Sequence, residues 1–238
     1  MPMLELLKNK RIMIVVAHPD DELLGLGATM NKLIEECNVT THIVILGEGI
    51  TSRSEQRDTE KWKNELETHR KNIYAAQASI GYHSVSISDF PDNRFDTVAL
   101  LDIIKVIEKE KEKFQPDVIF THHGGDVNID HQRTFEAVIT SCRPMADEKV
   151  KTIIAFETPS GTEWRASTDP KHFIPNLFFE VSDKNIQAKI DGMESYEFEK
   201  RKYPHPRSPE ALKVQSQRWG VAIGVPFAEA FVLIRSIN

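Results

Sequence analysis

The run Ile12-Met13-Ile14-Val15-Val16-Ala17 is apolar at every position and rich in β-branched residues. A strand with one wet face alternates apolar and polar side chains. A run without alternation needs cover on both faces, which is the condition of an inner strand in a parallel sheet. The run stops at His18-Pro19-Asp20-Asp21-Glu22, an imidazole, a rigid ring and three consecutive carboxylates. Polar residues at the carboxyl end of a buried strand sit where open α/β sheets place their ligands.

The rest of the chain repeats the alternation of strand and helix. Leu23–Glu36 has apolar residues at helical spacing, Thr40–Leu46 is a second buried-type strand, and Gly47-Glu48-Gly49 is a flexible turn after it. Thr51–Ser79 is highly charged and mostly helical in pattern, with an exposed first part that suits either a lid or a solvated helix. His83–Asp89 reads as a strand, and Val98–Phe114 as an amphipathic helix stopped by Gln115-Pro116. Asp117–Thr121 is a strand that runs into HHGGDVNIDHQ, and the helix Thr134–Cys142 and the strand Thr152–Glu157 come next. Asn176–Val181 and Ala230–Ile237 read as strands, with helices over Lys184–Lys202 and Pro209–Val221 on either side of the loop YPHPRS. This order predicts one domain over residues 1–238: a three-layer α/β/α sandwich around a mainly parallel, Rossmann-like sheet.

Charge and composition narrow the partners. Thirty basic against thirty-six acidic residues leave a net charge of -6, and no long Lys/Arg run recommends a nucleic-acid or anionic-membrane partner. The two cysteines, Cys37 and Cys142, stand at no metal-ligand or redox spacing, which points to a reducing compartment. MPMLELLKNKR has no secretory apolar core, and no segment approaches membrane-span length, so a cytoplasmic location is expected. The sequence leaves the oligomeric state open and is compatible with a homo-oligomer.

Parallel strands end at the same sheet edge. His18, Asp20, Asp21 and Glu22 are therefore expected to meet the cluster His122, His123, Asp126, Asn128, Asp130 and His131. Each cluster alone has a plainer reading, since turn carboxylates often cap a following helix. Together they offer two histidines and a carboxylate with a position left for water, the ligand set of a catalytic zinc site, plus a spare carboxylate for general-base work. Carboxylates also suit magnesium or manganese.

AHPDDE at Ala17–Glu22, with Asp130-His131 far downstream, resembles the LmbE/PIG-L family of zinc-dependent N-deacetylases, which act on N-acetylglucosamine-type sugars in glycoconjugates and small thiol precursors. The resemblance implies one zinc per chain held by His18, Asp21 and His131. It also implies Asp20 as general base and Asp130 as the carboxylate that orients a histidine. Arg70, in HRKNIYAAQASIG, resembles a substrate-binding arginine.

Two departures stand out. Many members carry a histidine where this chain has Asn128, whose amide can donate to an oxyanion but cannot act as an acid. The proton for the leaving amine is then expected from Asp20 itself or from His122, His123 or His205. Ile73 also replaces the usual glutamate three positions after the arginine. Three loops, around Glu48, around Asp92-Asn93-Arg94 and around His205-Pro206-Arg207-Ser208, lie where substrate contacts are expected. Asp92, His205 and Arg207 are the candidates there, the last loop suiting a phosphate or carboxylate.

The activity this implies is hydrolytic removal of the N-acetyl group from an acetamido sugar, free, nucleotide-linked or in a glycoconjugate. The alternatives are a zinc amidase or esterase on a non-sugar substrate, and a non-catalytic sugar- or nucleotide-binding module. Against the module, no Gly-x-Gly-x-x-Gly or Walker sequence follows any strand.

Overall fold

Residues 3–237 are described by a computed structural model. Its strands are β1 (Arg11–Val16), β2 (Thr40–Gly47), β3 (Ser84–Phe90), β4 (Val118–His122), β5 (Thr152–Phe156), β6 (Leu177–Glu180) and β7 (Ala228–Ser236). They form one seven-stranded sheet in the order β3-β2-β1-β4-β5-β7-β6. The five strands from β3 to β5 run parallel, and β7 is antiparallel to both β5 and β6.

The helices are α1 (Met3–Leu7), α2 (Asp21–Leu24), α3 (Gly27–Cys37), α4 (Lys63–Ile80), α5 (Leu100–Phe114), α6 (Ile129–Ser141), α7 (Asp183–Ser195) and α8 (Pro209–Ile223). Ile12, Ile14 and Val16 face Leu33 of α3, Ile73 of α4 and Met193 of α7, whereas Met13, Val15 and Ala17 face Ile103 of α5 and Val138 of α6. Successive strand residues point to opposite faces, so cover on both sides explains why β1 has no polar position.

The chain steps from β1 to β2 and β3 on one side, then returns to place β4 and β5 on the other. The connections diverge between β1 and β4, which opens a crevice beyond their carboxyl ends. His18–Asp21 leave β1 and His122–His131 leave β4 at that crevice.

Four helix boundaries differ from the sequence pattern. The predicted helix Leu23–Glu36 is split. A Cβ at Gly25 would lie 2.1 Å from the Phe156 ring, and Leu26 leaves helical geometry at φ -151°. Helix α6 starts before Thr134, because Asn128 caps it by accepting the Asp130 N–H at 2.8 Å. Asp130 and His131 consequently sit in its first turn, not in a loop. The predicted helix Lys184–Lys202 ends at Ser195, where Tyr196 turns off the helical path and its hydroxyl donates to Glu22 at 2.6 Å. In the segment Thr51–Ser79 the regular helix begins only at Lys63, after an irregular stretch held by Trp62 Nε1 on Ser54 Oγ at 2.8 Å. Among the described residues, no helix is long and apolar enough to cross a membrane.

Candidate metal centre

His18, Asp21 and His131 present ligand atoms that all lie within 4.8 Å of one another. Asp21 Oδ2 stands 3.5 Å from His18 Nδ1 and 3.4 Å from His131 Nε2. Ligands about 2.1 Å from a tetrahedral zinc are about 3.4 Å apart, so the donor set fits such an ion.

A carboxylate faces the far side of each imidazole, hydrogen-bonded to His18 and within ion-pair distance of His131. Asp130 Oδ2 is 2.8 Å from His18 Nε2, and Asp126 Oδ2 is 3.2 Å from His131 Nδ1. Asp126 is itself fixed by Thr162 Oγ1 at 2.6 Å and by the Asn128 N–H at 2.8 Å. A second grouping, His18 with Asp92 and Asp130, has one imidazole and centres on the nitrogen already bonded to Asp130. It is the poorer donor set.

Electrostatics follow the same geometry. Burial opposes charge on His131, but Asp21 and Asp126 outweigh it and push the imidazole up to about 9. Burial likewise opposes charge on His18, and Asp130 and Asp21 outweigh it, holding the ring well above its ordinary range. Asp21 is driven the other way: burial disfavours its charge, yet His131 keeps it well below the usual carboxylate range.

Asp20 stands apart from the three. It occupies a left-handed conformation, φ 98° and ψ -25°, a strained setting for a residue with a side chain. Its N–H donates to Glu22 Oε2 at 3.1 Å, and Arg207 Nη1 donates to its Oδ2 at 3.0 Å. Burial pushes the Asp20 carboxyl well above the usual range, Arg207 pulls it back in part, and Asp21 and Glu199 add to the rise. The result is a buried carboxylate beside the donor set that holds a proton more readily than an ordinary aspartate.

His18, Asp20, Asp92, Asn128 and Arg207 line one cleft of about 100 Å³. Asp92 holds Ser52 through Oδ2, at 2.6 Å to the hydroxyl, and leaves Oδ1 3.4 Å from His18 Nε2. Asn128 Nδ2 donates to Asn93 Oδ1 at 2.9 Å, which uses one of its two amide hydrogens. Arg207 is committed to protein partners: besides Asp20 it donates to Glu199 at 2.6 Å and Ser160 at 2.7 Å. Glu48 is turned to Arg57, with Nη2 at 2.8 Å.

Arg70 does not line the cleft. It is exposed and borders a separate cavity of about 260 Å³ with Glu48, Arg57 and Ile87. His205, His123 and His122 do not line the cleft either, although His122 Nε2 is 3.3 Å from Asp21 Oδ2. His205 accepts the Arg207 N–H at 3.2 Å and lies edge-on to Trp164, and His123 Nε2 bonds to the Lys171 carbonyl at 2.8 Å. His122 is stacked beneath His131 with centroids 3.9 Å apart. Its Nε2 accepts the Ala17 N–H at 2.9 Å, which places its own proton on Nδ1 toward Thr158. Burial and the adjacent His131 lower it to about 4. Of the candidate proton donors, Asp20 lines the cleft and the three histidines do not.

The residue that sequence reasoning passed over is His69, next to Arg70 in α4. It lines the cleft and is 1% exposed. Among the described residues it is also the one that borders both the cleft and the Arg70 cavity. No local signal marked it, because its neighbours Gly49 and Tyr196 are distant in the chain.

Residues 13–142 match the family model described as GlcNAc-PI de-N-acetylase, PIG-L. YaiS of Escherichia coli K12, described as an uncharacterized deacetylase, is 26% identical over 194 residues, covering 79% of this chain and 91% of YaiS. Among solved structures, the N,N'-diacetylchitobiose deacetylase of Pyrococcus horikoshii superposes with a TM-score of 0.71 at 19% identity, over 98% of this chain and 89% of that one. GalB, the 4-carboxy-2-hydroxymuconate hydratase of Pseudomonas putida KT2440, does so with a TM-score of 0.69 at 20% identity, over 96% and 98%. At these identities the likeness to the two structures is one of fold.

Proposed function

The chain belongs to the GlcNAc-PI de-N-acetylase family, and from that premise we propose that it is a zinc-dependent hydrolase that removes the N-acetyl group from an acetamido sugar. A hydratase shares the fold, so the fold by itself does not choose the reaction. The observation that carries the reading is Asp20: a buried carboxylate in the same turn as His18 and Asp21, next to a two-histidine, one-carboxylate donor set. Family membership then points to an acetamide as the bond broken, and the chitobiose deacetylase with the same fold is consistent with a sugar as its carrier.

One zinc held by His18, Asp21 and His131 would polarise the acetamide carbonyl and make water more acidic. Asp20 accepts a proton from that water as its oxygen bonds to the acetyl carbon. The free hydrogen of the Asn128 amide donates to the oxyanion that develops on the carbonyl. Asp20 then returns its proton to the nitrogen as the C–N bond breaks, giving acetate and the amino sugar. No histidine donor is required, in keeping with the positions of His122, His123 and His205. Asp130 and Asp126 keep the rings of His18 and His131 aligned. Asp92 offers Oδ1 to a substrate hydroxyl, and Arg207 acts on Asp20 instead of on the substrate.

The test pairs elemental analysis with acetate release from N-acetylglucosamine and glycoconjugates that carry it. About one zinc per chain, lost in His18→Ala, and activity lost in Asp20→Asn with zinc retained are expected. Full activity in Asp20→Asn, or no bound metal and no activation by added metal, contradicts the reading.

A further inference from the structure

His69 is a buried polar side chain without a protein partner. Neither Nδ1 nor Nε2 has a hydrogen-bond partner among the described residues, although the residue is 1% exposed. A neutral imidazole carries one donor and one acceptor, and buried groups of this kind are normally satisfied. The ring is steadied by Tyr196, edge-on at 5.6 Å, and by Phe198 at 6.3 Å. Packing fixes its place while its polar atoms stay unused.

The backbone opposite is shaped to leave room for it. A Cβ at Gly49 would come within 3.2 Å of His69 Nε2 and 3.3 Å of Pro19 Cδ. Gly49 and Ile50 both have positive φ, 68° and 70°, and for a β-branched residue that is a genuine outlier. Gly49, Ile50 and Pro19 all line the cleft. The strained turn therefore sets a glycine, with no side chain, between the imidazole and Pro19, the residue before Asp20, at the wall of the cleft.

We propose that His69 contacts the substrate directly, one ring nitrogen sharing a hydrogen bond with a sugar hydroxyl, and so fixes which face of the sugar ring enters the cleft. The inference rests on the deacetylase reading, which supplies the sugar. At about 100 Å³ the cleft is smaller than the ~300–1,000 Å³ of a typical ligand pocket. It holds the acetamide and the adjoining ring atoms, so a contact from its wall bears on hydroxyls next to the reacting group. The pairing also gives one of the orphaned nitrogens a partner.

The experiment compares kcat/KM for N-acetylglucosamine with that for its 1-, 3-, 4- and 6-deoxy analogues, in the wild-type chain, His69→Phe and His69→Gln. The wild type should disfavour one analogue by about 10-fold or more, as a site built to bond a hydroxyl rejects its absence. His69→Phe should bring that ratio to near one, and His69→Gln, which keeps a donor and an acceptor, should retain part of it. The ratio is internal to each sample, so partial misfolding does not alter it. Lower activity on every sugar with an unchanged ratio would mean a purely structural histidine and overturn the proposal. A wild type that releases acetate from none of these sugars overturns the deacetylase reading itself, which separates the two failures.

Discussion

Asp130 Oδ2 lies 2.8 Å from His18 Nε2, while its Oδ1 accepts the Phe95 N–H at 2.8 Å. One buried carboxylate thus ties His18, in the turn after β1, to the loop after β3 and turns His18 Nδ1 toward Asp21. Asp130→Asn keeps the size and the contact with Phe95 but replaces the charge that holds the imidazole. Metal affinity should fall about 10- to 100-fold, the usual cost of losing a carboxylate behind a ligand histidine. Chelator competition measures it, and unchanged affinity would show that His18 is oriented by something else.

Arg207 and Asp20 set up a pH prediction. Asp20 works as a base only when ionised, and burial places its carboxyl well above the usual range. Activity is therefore lost as pH falls through that raised value, an acid limb above the ordinary carboxylate pKa of about 4. Arg207 favours the ionised form, so Arg207→Met should move the limb to higher pH. At neutral pH kcat/KM should drop about 10-fold or more, with partial recovery on the alkaline side. A uniform loss at every pH would assign Arg207 to substrate binding instead.

Asn128 has two separable tasks. Its Oδ1 caps α6 through the Asp130 N–H, and its Nδ2 faces the cleft with one hydrogen unused. Asn128→Asp keeps a capping oxygen and removes the donor, whereas Asn128→Ala removes both. The alanine variant should lose ~1 kcal/mol of stability from the cap and the aspartate variant little. Both should lose kcat by about 10²-fold if the amide stabilises the oxyanion. Equal kcat in Asn128→Asp and the wild type would remove the amide from the chemistry.

The strands were readable because β1, β2, β4 and β5 are covered on both faces, and burial on both faces writes itself as unbroken apolar runs. The donor set was readable for a related reason: His18 and Asp21 share one turn, and His131 follows a strand that must end beside it. Helix limits were not, because tertiary contacts fix them. Phe156 occupies the space at Gly25, and Tyr196 reaches Glu22 at 2.6 Å from the end of α7. Arg70 and His69 show the limit for side chains. One step along a helix turns the side chain by about 100°, enough to put His69 in the cleft and Arg70 outside it. The phase of α4 against the sheet decides between them, and the polar, exposed start of that segment carries no hydrophobic pattern to fix the phase.

Glu157, just after β5, accepts a hydrogen bond from Trp219 Nε1, and burial pushes its carboxyl up to about 7 from an ordinary 4.5. Below about pH 4.5 the group is neutral whether the chain is folded or not, and it costs nothing. Between about 4.5 and 7 only the unfolded chain ionises freely, so stability falls as pH rises, and above about 7 the loss is complete. Glu157→Gln cannot ionise and keeps an acceptor for Trp219. The side chain is only partly buried, which discounts the full shift to ~2 kcal/mol. The variant should therefore unfold about 4–8 °C higher than the wild type at pH 8 and at nearly the same temperature near pH 4.5. Thermal unfolding at both values decides it: a gain equal at the two would trace the effect to packing, and no gain at pH 8 would mean that Glu157 is ionised in the fold and stabilised by Lys189 and Arg218.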